Sequence, residues 1–252
     1  MSNVYLLEAK MELLKSLRMK SYSLSTILFP VMFYCISALA VGKGQSFASV
    51  SLARYTLATY GAFSVMGATL FAFGVGVAVE RGLGWLQVKR ASPMPPAAYF
   101  LAKAAVGMAF GGIVVGVLFG LGAGFGEVRM PLWQWLAMGA TLVAGAIPFC
   151  AMGLAIGSFA GPNSAPATVN LIYLPMSFCS GLWLPFDLLP KGLQAVAPFL
   201  PPFHLSQLAL RILGVRTQGS SAAHVGALIA FTLIFAGIAW LGHSREREKM
   251  YG

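Results

Sequence analysis

The sequence predicts an all-α, polytopic membrane protein with six transmembrane helices. An N-terminal amphipathic interfacial helix and a re-entrant extracellular helical segment between spans five and six complete the expected fold. Three observations carry this reading. Of 252 residues, 58% are hydrophobic and only 10% are charged, against about 25% charged in a typical soluble domain. The apolar residues fall in six runs, each near the roughly 20 residues a helix needs to cross the hydrocarbon core. The 17 Lys and Arg residues are scattered between those runs, so the net charge of +10 does not form the single basic face of a nucleic-acid-binding protein. A soluble enzyme and a disordered chain are both excluded by the same figures. No nucleic-acid partner is expected.

The elements run in order along a single domain, 1–252. In 1–21, Val4, Leu7, Met11, Leu14 and Leu17 recur at helical spacing beside Glu8, Glu12 and Lys15, the pattern of a helix lying on a membrane surface. Lys10 interrupts the apolar face, which leaves a solvated N-terminal helix as the competing reading. No cleavable signal peptide is expected, because charges of both signs precede a run long enough to span. Spans one and two occupy 22–79, as Tyr22–Val41 and Thr56–Val79. Spans three to five occupy 99–184, as Tyr99–Phe125, Leu132–Phe159 and Ala167–Leu184. Span six, His224–Leu241, and a charged tail fill 224–252. These runs are continuous rather than alternating, which favours helices over a barrel.

Loop 80–98 opens with Glu80 and Arg81, carries Leu83, Leu86 and Val88, and stops at prolines that cannot continue a helix. A short amphipathic helix fits, either docked in a groove on a soluble partner or held against anionic headgroups by its basic residues. Segment 185–223 is too apolar for a water-exposed loop and too rich in proline for a span. A helical piece at about 191–197 and another at about 205–213 are expected there. Eleven of the 17 basic residues lie on the side that holds both termini, which places the termini in the cytoplasm.

Glycine marks the third span. Gly112, Gly116, Gly120 and Gly124 recur every four residues, and Gly153 and Gly157 repeat the spacing in the fourth. Such a face lets another helix approach closely, either within the chain or from another subunit. Pro148 and Pro175 should kink spans four and five.

The residues that would carry chemistry are missing. No ionisable residue sits in a span away from its ends, and Glu80, Lys103 and His243 are expected to snorkel to the interfaces. This disfavours a proton-coupled carrier and leaves no charged residue to select a substrate. Neither a phosphate-binding G-x-x-x-x-G-K-[ST] loop nor a G-x-S-x-G nucleophile turn occurs. Cys35, Cys150 and Cys179 are read as small buried hydrophobes. No catalytic residue, metal site or cofactor is expected on this chain. On these residues alone, a transport subunit driven by a separate motor has two rivals: an ion-coupled secondary carrier and a non-transporting membrane scaffold.

The two loops resemble those of a family, the permease subunits of type-2 ABC exporters, and among them the bacterial drug-export permeases. Glu80, Arg81, Gly84, Ser92, Pro93 and Lys103 match one family pattern. Pro185, Leu189, Pro190, Pro201 and Ala209-Leu210-Arg211 match a second. The resemblance implies a multi-pass protein of the bacterial plasma membrane that exports an amphipathic or hydrophobic compound. Its implied partners are a separate ABC ATPase, which holds the ATP and Mg, a second copy of itself or a homologous permease, and membrane lipid. The resemblance makes 80–98 the coupling-helix loop. Leu83, Trp85, Leu86 and Val88 would pack on the ATPase, Glu80, Arg81, Lys89 and Arg90 would make polar contacts, and Gly84 belongs to the same coupling set. Phe178, Trp183 and Phe186 would form an upper gate or belong to an aromatic belt at the interface.

Overall fold

The computed structural model describes residues 2–18, 27–36, 46–47, 50–85, 88, 96–125 and 128–251. Helix α1 (Ser2–Arg18) is followed by α2 (Ile27–Ile36) and a two-residue antiparallel pair, β1 (Ser46–Phe47) with β2 (Val50–Ser51). Then come α3 (Leu52–Gly82), α4 (Pro96–Gly124), α5 (Leu132–Ala144) and α6 (Ile147–Phe159). The chain continues through α7 (Ala165–Cys179), α8 (Lys191–Val196), α9 (Pro201–Ile212) and α10 (Ser221–Tyr251). Among the described residues, four stretches are helical, long and apolar enough to cross a membrane: Leu52–Gly82, Leu101–Gly124, Leu132–Phe159 and Ser221–Gly242. They coincide with expected spans two, three, four and six.

The other two expected spans differ. Of the first, the described helix is Ile27–Ile36, and the remainder of 22–41 lies outside the described residues. The fifth is shorter than the apolar run, because α7 ends at Cys179 and Gly181 turns the chain at φ +74°. Leu182 then folds back to donate to the Ser177 carbonyl at 3.2 Å. Hydropathy cannot show this, since Leu182–Leu184 is as apolar as the helix before it.

Helix α3 forms the centre. Every residue from Leu57 to Leu70 is buried, and Phe71–Val75 widens into a single π-helical turn, a feature that no sequence pattern announces. The bulge meets the glycines of α6. A Cβ on Gly157 would lie 2.8 Å from the Phe73 carbonyl oxygen, and one on Gly153 would lie 2.7 Å from the Phe73 Cβ. At this pair, the small residues serve packing within the chain. On α4, Gly107 and Gly111 face Thr69 and Val65 of α3, whereas Gly116, Gly120 and Gly124 have no described neighbour within 4 Å of a Cβ position. Gly112 meets Val143 at an ordinary 3.7 Å.

Several prolines stand in the first turn of a helix, where their missing N–H does no harm. Pro148 stands in the first turn of α6, after the helix lapses between Ala144 and Ile147. Leu205 of α9 fills the gap over Gly145, where a Cβ could not fit. Pro175 lies inside α7. The sequence places Pro201 and Pro202 ahead of a helix starting near Leu205; instead they form the first turn of α9.

The segment after α7 folds as a cap on the end away from α1. Phe186, Leu189, Ala197 and Phe203 make its small core around the helical piece Lys191–Val196. The cap is fastened to α10 by a histidine pair. His204 Nε2 donates to the Pro198 carbonyl at 2.9 Å, and His224 Nε2 donates to the Gln218 carbonyl at 2.6 Å. Their Nδ1 atoms are left facing each other at 2.9 Å, where an added proton charges a buried ring beside its neighbour. Burial, and then the His224 charge, hold the His204 pKa below its ordinary value, against the pull of the Pro198 carbonyl.

A depressed folded-state pKa means that the unfolded chain takes up the proton first, so this contribution is full above about pH 6.5 and is lost as pH falls below it. The melting temperature in detergent should therefore drop between pH 7 and 5, and His204→Gln should flatten that slope. The glycines should separate in the same way. Gly157→Leu should abolish folded yield, whereas Gly116→Leu should leave the monomer's melting temperature within experimental error. Loss of assembly in Gly116→Leu would report a contact from another chain.

Candidate functional site

At the α1 end of the bundle, four of the described charged side chains meet under the loop that follows α3. Glu80, in the last turn of α3, is 5% exposed, Lys103 of α4 is 4% exposed and Glu12 of α1 is 7% exposed. Lys103 Nζ lies 3.0 Å from Glu80 and 2.5 Å from Glu12, and Lys15 Nζ contacts Glu80 and sits 3.7 Å from Glu12. The Tyr99 hydroxyl donates to the second Glu80 oxygen at 2.6 Å, and its ring lies 5.3 Å from the Lys103 ammonium. These two carboxylates and two ammonium groups balance in charge. Glu12, Glu80 and Lys103 are too buried to be stable alone, since an uncompensated ion in a low-dielectric interior costs several kcal/mol. Burial alone would lower the Lys15 pKa, but its bond to Glu80 and the charges of Glu80 and Glu12 outweigh burial and raise it.

Local sequence explains how these groups arrive. On α1, Glu8, Glu12, Leu13 and Ser16 fall on the face turned towards the bundle, where Leu13 packs on Ala68, Val106 and Phe110. The apolar residues Leu7, Met11, Leu14 and Leu17 remain exposed. The helix is thus turned with its polar face to protein and its apolar face outward, where hydrocarbon would cover it. This corrects the expected placement of Lys103 and Glu80: neither snorkels to water, because each has a buried partner of opposite charge. Lys103 is visible in the sequence as a lone ionisable residue inside an apolar run, the usual mark of function in a membrane helix. Nothing in the sequence points to Glu12 as its partner.

The next residue ties the cluster to the far side of the bundle. Arg81 donates to the carbonyls of Ser158 and Ala160, the latter at 2.7 Å, at the C-terminus of α6 where a cation is favoured. A Cβ on Gly82 would strike Pro162 at 2.5 Å. Beyond this joint the chain turns at Gly84 with φ +75° and presents Leu83, Trp85 and Val88, which are 68%, 54% and 62% exposed. The Val88 amide donates to the Gly84 carbonyl at 3.3 Å, a helical turn. Leu86, Lys89 and Arg90 lie outside the described residues. Among the loop residues singled out by sequence, Glu80 and Arg81 are therefore engaged within the chain, while Leu83, Trp85 and Val88 face outward.

A cavity of about 530 Å³ opens beside the cluster, between α1, α2, α3 and α7. Phe29, Phe71 and Tyr173 give it apolar walls, Ser64 and Asn170 polar points, and Glu80 and Lys103 a charged end. The sequence offers no charged residue within the spans to select a substrate; in the structure Glu80 and Lys103 line this cavity. The three aromatic residues expected at an upper gate are not gathered at one place. Trp183 packs on Phe33 and Phe63 at ring distances of 4.7 and 5.6 Å. Phe186 packs on Phe203 at 5.2 Å within the cap, and Phe178 is exposed.

Residues 5–213 match the family model described as ABC-2 type transporter. The chain is also similar to the Bacillus subtilis (strain 168) protein named "Putative transport permease YvfS". The two are 27% identical over 233 residues, covering 92% of this chain and 94% of that one.

The cluster yields a stability test. Lys103→Met leaves two buried carboxylates to share Lys15 and should cost about 3–5 kcal/mol, read from unfolding in denaturing detergent. Adding Glu80→Gln should restore part of that loss, and no restoration would mean that the pair is not coupled.

Proposed function

The chain belongs to the ABC-2 type transporter family and is a multi-pass membrane permease of an ABC transporter that works with a separate ABC ATPase, and we propose that it serves export. In this reading, six helices cross the bacterial plasma membrane with both termini in the cytoplasm, and two permease chains pair. The substrate is an amphipathic or hydrophobic compound. The observation that carries the proposal is the contrast at loop 80–98. Charged side chains at its base are sealed inside the bundle, while large apolar ones around Gly84 stand in solvent. Exposed Leu83, Trp85 and Val88 have the chemistry of a short helix that enters a groove on a soluble protein.

The mechanism follows from the joint beneath them. ATP binding closes the ATPase pair and displaces the loop. Arg81 and Gly82 bear on the end of α6, and Glu80 bears on α1 and α4, so a push on the loop moves three elements together. The cavity between α2, α3 and α7 changes shape with them, and its apolar walls with one charged end suit a compound that has both characters. The π-turn at Phe71–Val75 lies in that wall and gives α3 a place to yield.

Replacing exposed Trp85 or Leu83 by Asp should leave the melting temperature of the chain unchanged. It should weaken co-purification of the ATPase and lower transport at least tenfold, because the charge would be buried unpaired in the partner's groove. Unchanged co-purification of both variants would overturn the docking role.

A further inference from the structure

A second cavity, of about 560 Å³, lies at the opposite end of the molecule between α5, α6, α9 and α10. It exists because the helix lapses between Ala144 and Ile147, and Leu205 fills only the Gly145 side of that gap. Its long wall is one face of α10, from Ser221 through Val225 and Ile229 to Thr232. At 1.5 Å per residue, Thr232 lies about 16 Å below Ser221, half of a hydrocarbon core about 30 Å thick. The groove therefore has the depth of one leaflet.

Its character changes along that depth. Arg211 and Ser221 stand at the mouth, next to Trp133, which is exposed in the first turn of α5 as an interfacial aromatic would be. Below them the lining is apolar but for Thr141 and Thr232, and the Thr232 hydroxyl is occupied by the Leu228 carbonyl at 2.8 Å. Arg211 donates to Thr217 Oγ1 at 2.9 Å, to Ser221 Oγ at 2.8 Å and to the Gly219 carbonyl at 2.5 Å. These bonds fix the guanidinium in place without neutralising it, and a guanidinium has five N–H donors. Among the described residues, none of its partners is a carboxylate. A positioned cation above an apolar slot one leaflet deep is complementary to one kind of molecule.

We propose that this groove holds one acyl chain of an anionic phospholipid from the leaflet away from α1, with the lipid phosphate on Arg211. The site is separate from the cavity beside Glu80 and Lys103, and does not depend on what that cavity transports.

The test uses the full chain, purified in detergent and supplied with phosphatidylglycerol or phosphatidylcholine of the same acyl composition. Native mass spectrometry counts the lipid retained. The expected result is one phosphatidylglycerol per chain, preferred over phosphatidylcholine by about fivefold, the effect of one basic residue beside an anionic headgroup. Arg211→Gln should remove the preference. Because Arg211 also orders the 213–220 turn, Val225→Trp provides a second arm: it fills the groove without touching the guanidinium, and should lose the lipid while keeping the wild-type melting temperature. Equal retention of the two lipids, or retention that survives Val225→Trp, overturns the proposal. A lipid-free dimer that Val225→Trp dissociates would also overturn it, and would assign the groove to a second copy of the chain.

Discussion

The ion cluster around Glu80 sets the terms for the end of the bundle that carries the loop. A carboxylate and an ammonium this buried are tolerable only with each other and with the hydrogen bonds that complete them. Lys103 needs both Glu80 and Glu12, and Glu80 needs Lys103, Lys15 and Tyr99. Meeting those needs brings α1, the end of α3 and the start of α4 to one point. It also dictates how α1 lies, with its acids and Leu13 inward and Leu6, Leu7, Leu14 and Leu17 outward. Arg81 extends the constraint to the end of α6 through two carbonyls, so the loop beyond Gly82 hangs from a rigid junction rather than from four independent helix ends.

On the proposed docking role, that rigidity gives the exposed part of the loop a use. A helical turn with Leu83, Trp85 and Val88 in solvent is costly unless something covers it. A force applied there reaches the bundle only if the attachment does not yield. The compliant places lie farther in: the π-turn of α3 and the lapse before Pro148. Each lies where a glycine, Gly74 or Gly145, allows a neighbouring helix to close in. Stiffness at the joint and give in the core suit a machine that turns an outside displacement into a change of cavity shape. The far end is organised by other means, a small aromatic core and a histidine pair, and does not share this constraint.

Much of the architecture is legible in the sequence. The apolar run Leu132–Phe159 marks span four, and that stretch is long and apolar enough to cross a membrane, although its helix lapses between Ala144 and Ile147. Prolines bound the helical piece near Lys191–Ala197 correctly. The fifth helix is not legible in this way: a turn at Gly181 ends it, and hydropathy does not register backbone conformation. Likewise Pro201 and Pro202 start a helix, a role that proline plays as readily as stopping one. Of the loop residues marked by their chemistry, the apolar Leu83, Trp85 and Val88 stand outward. Glu80 and Arg81 are instead anchored within the chain.

The sequence by itself determined the class of the protein, the location of most spans and the absence of a nucleotide-binding loop. These are properties of composition and of contiguous stretches, and lipid enforces them residue by residue. Tertiary structure alone decided which charges are paired, since Lys103 and Glu12 are 91 positions apart and Lys15 and Glu80 are 65 apart. It also decided which glycines face a neighbour: on α4, Gly107 and Gly111 meet α3 while Gly116, Gly120 and Gly124 have no described neighbour within 4 Å, and on α6 Gly153 and Gly157 meet the bulge of α3. Spacing fixes the face of a helix on which a residue lies, and only the packing of the other helices fixes what that face meets.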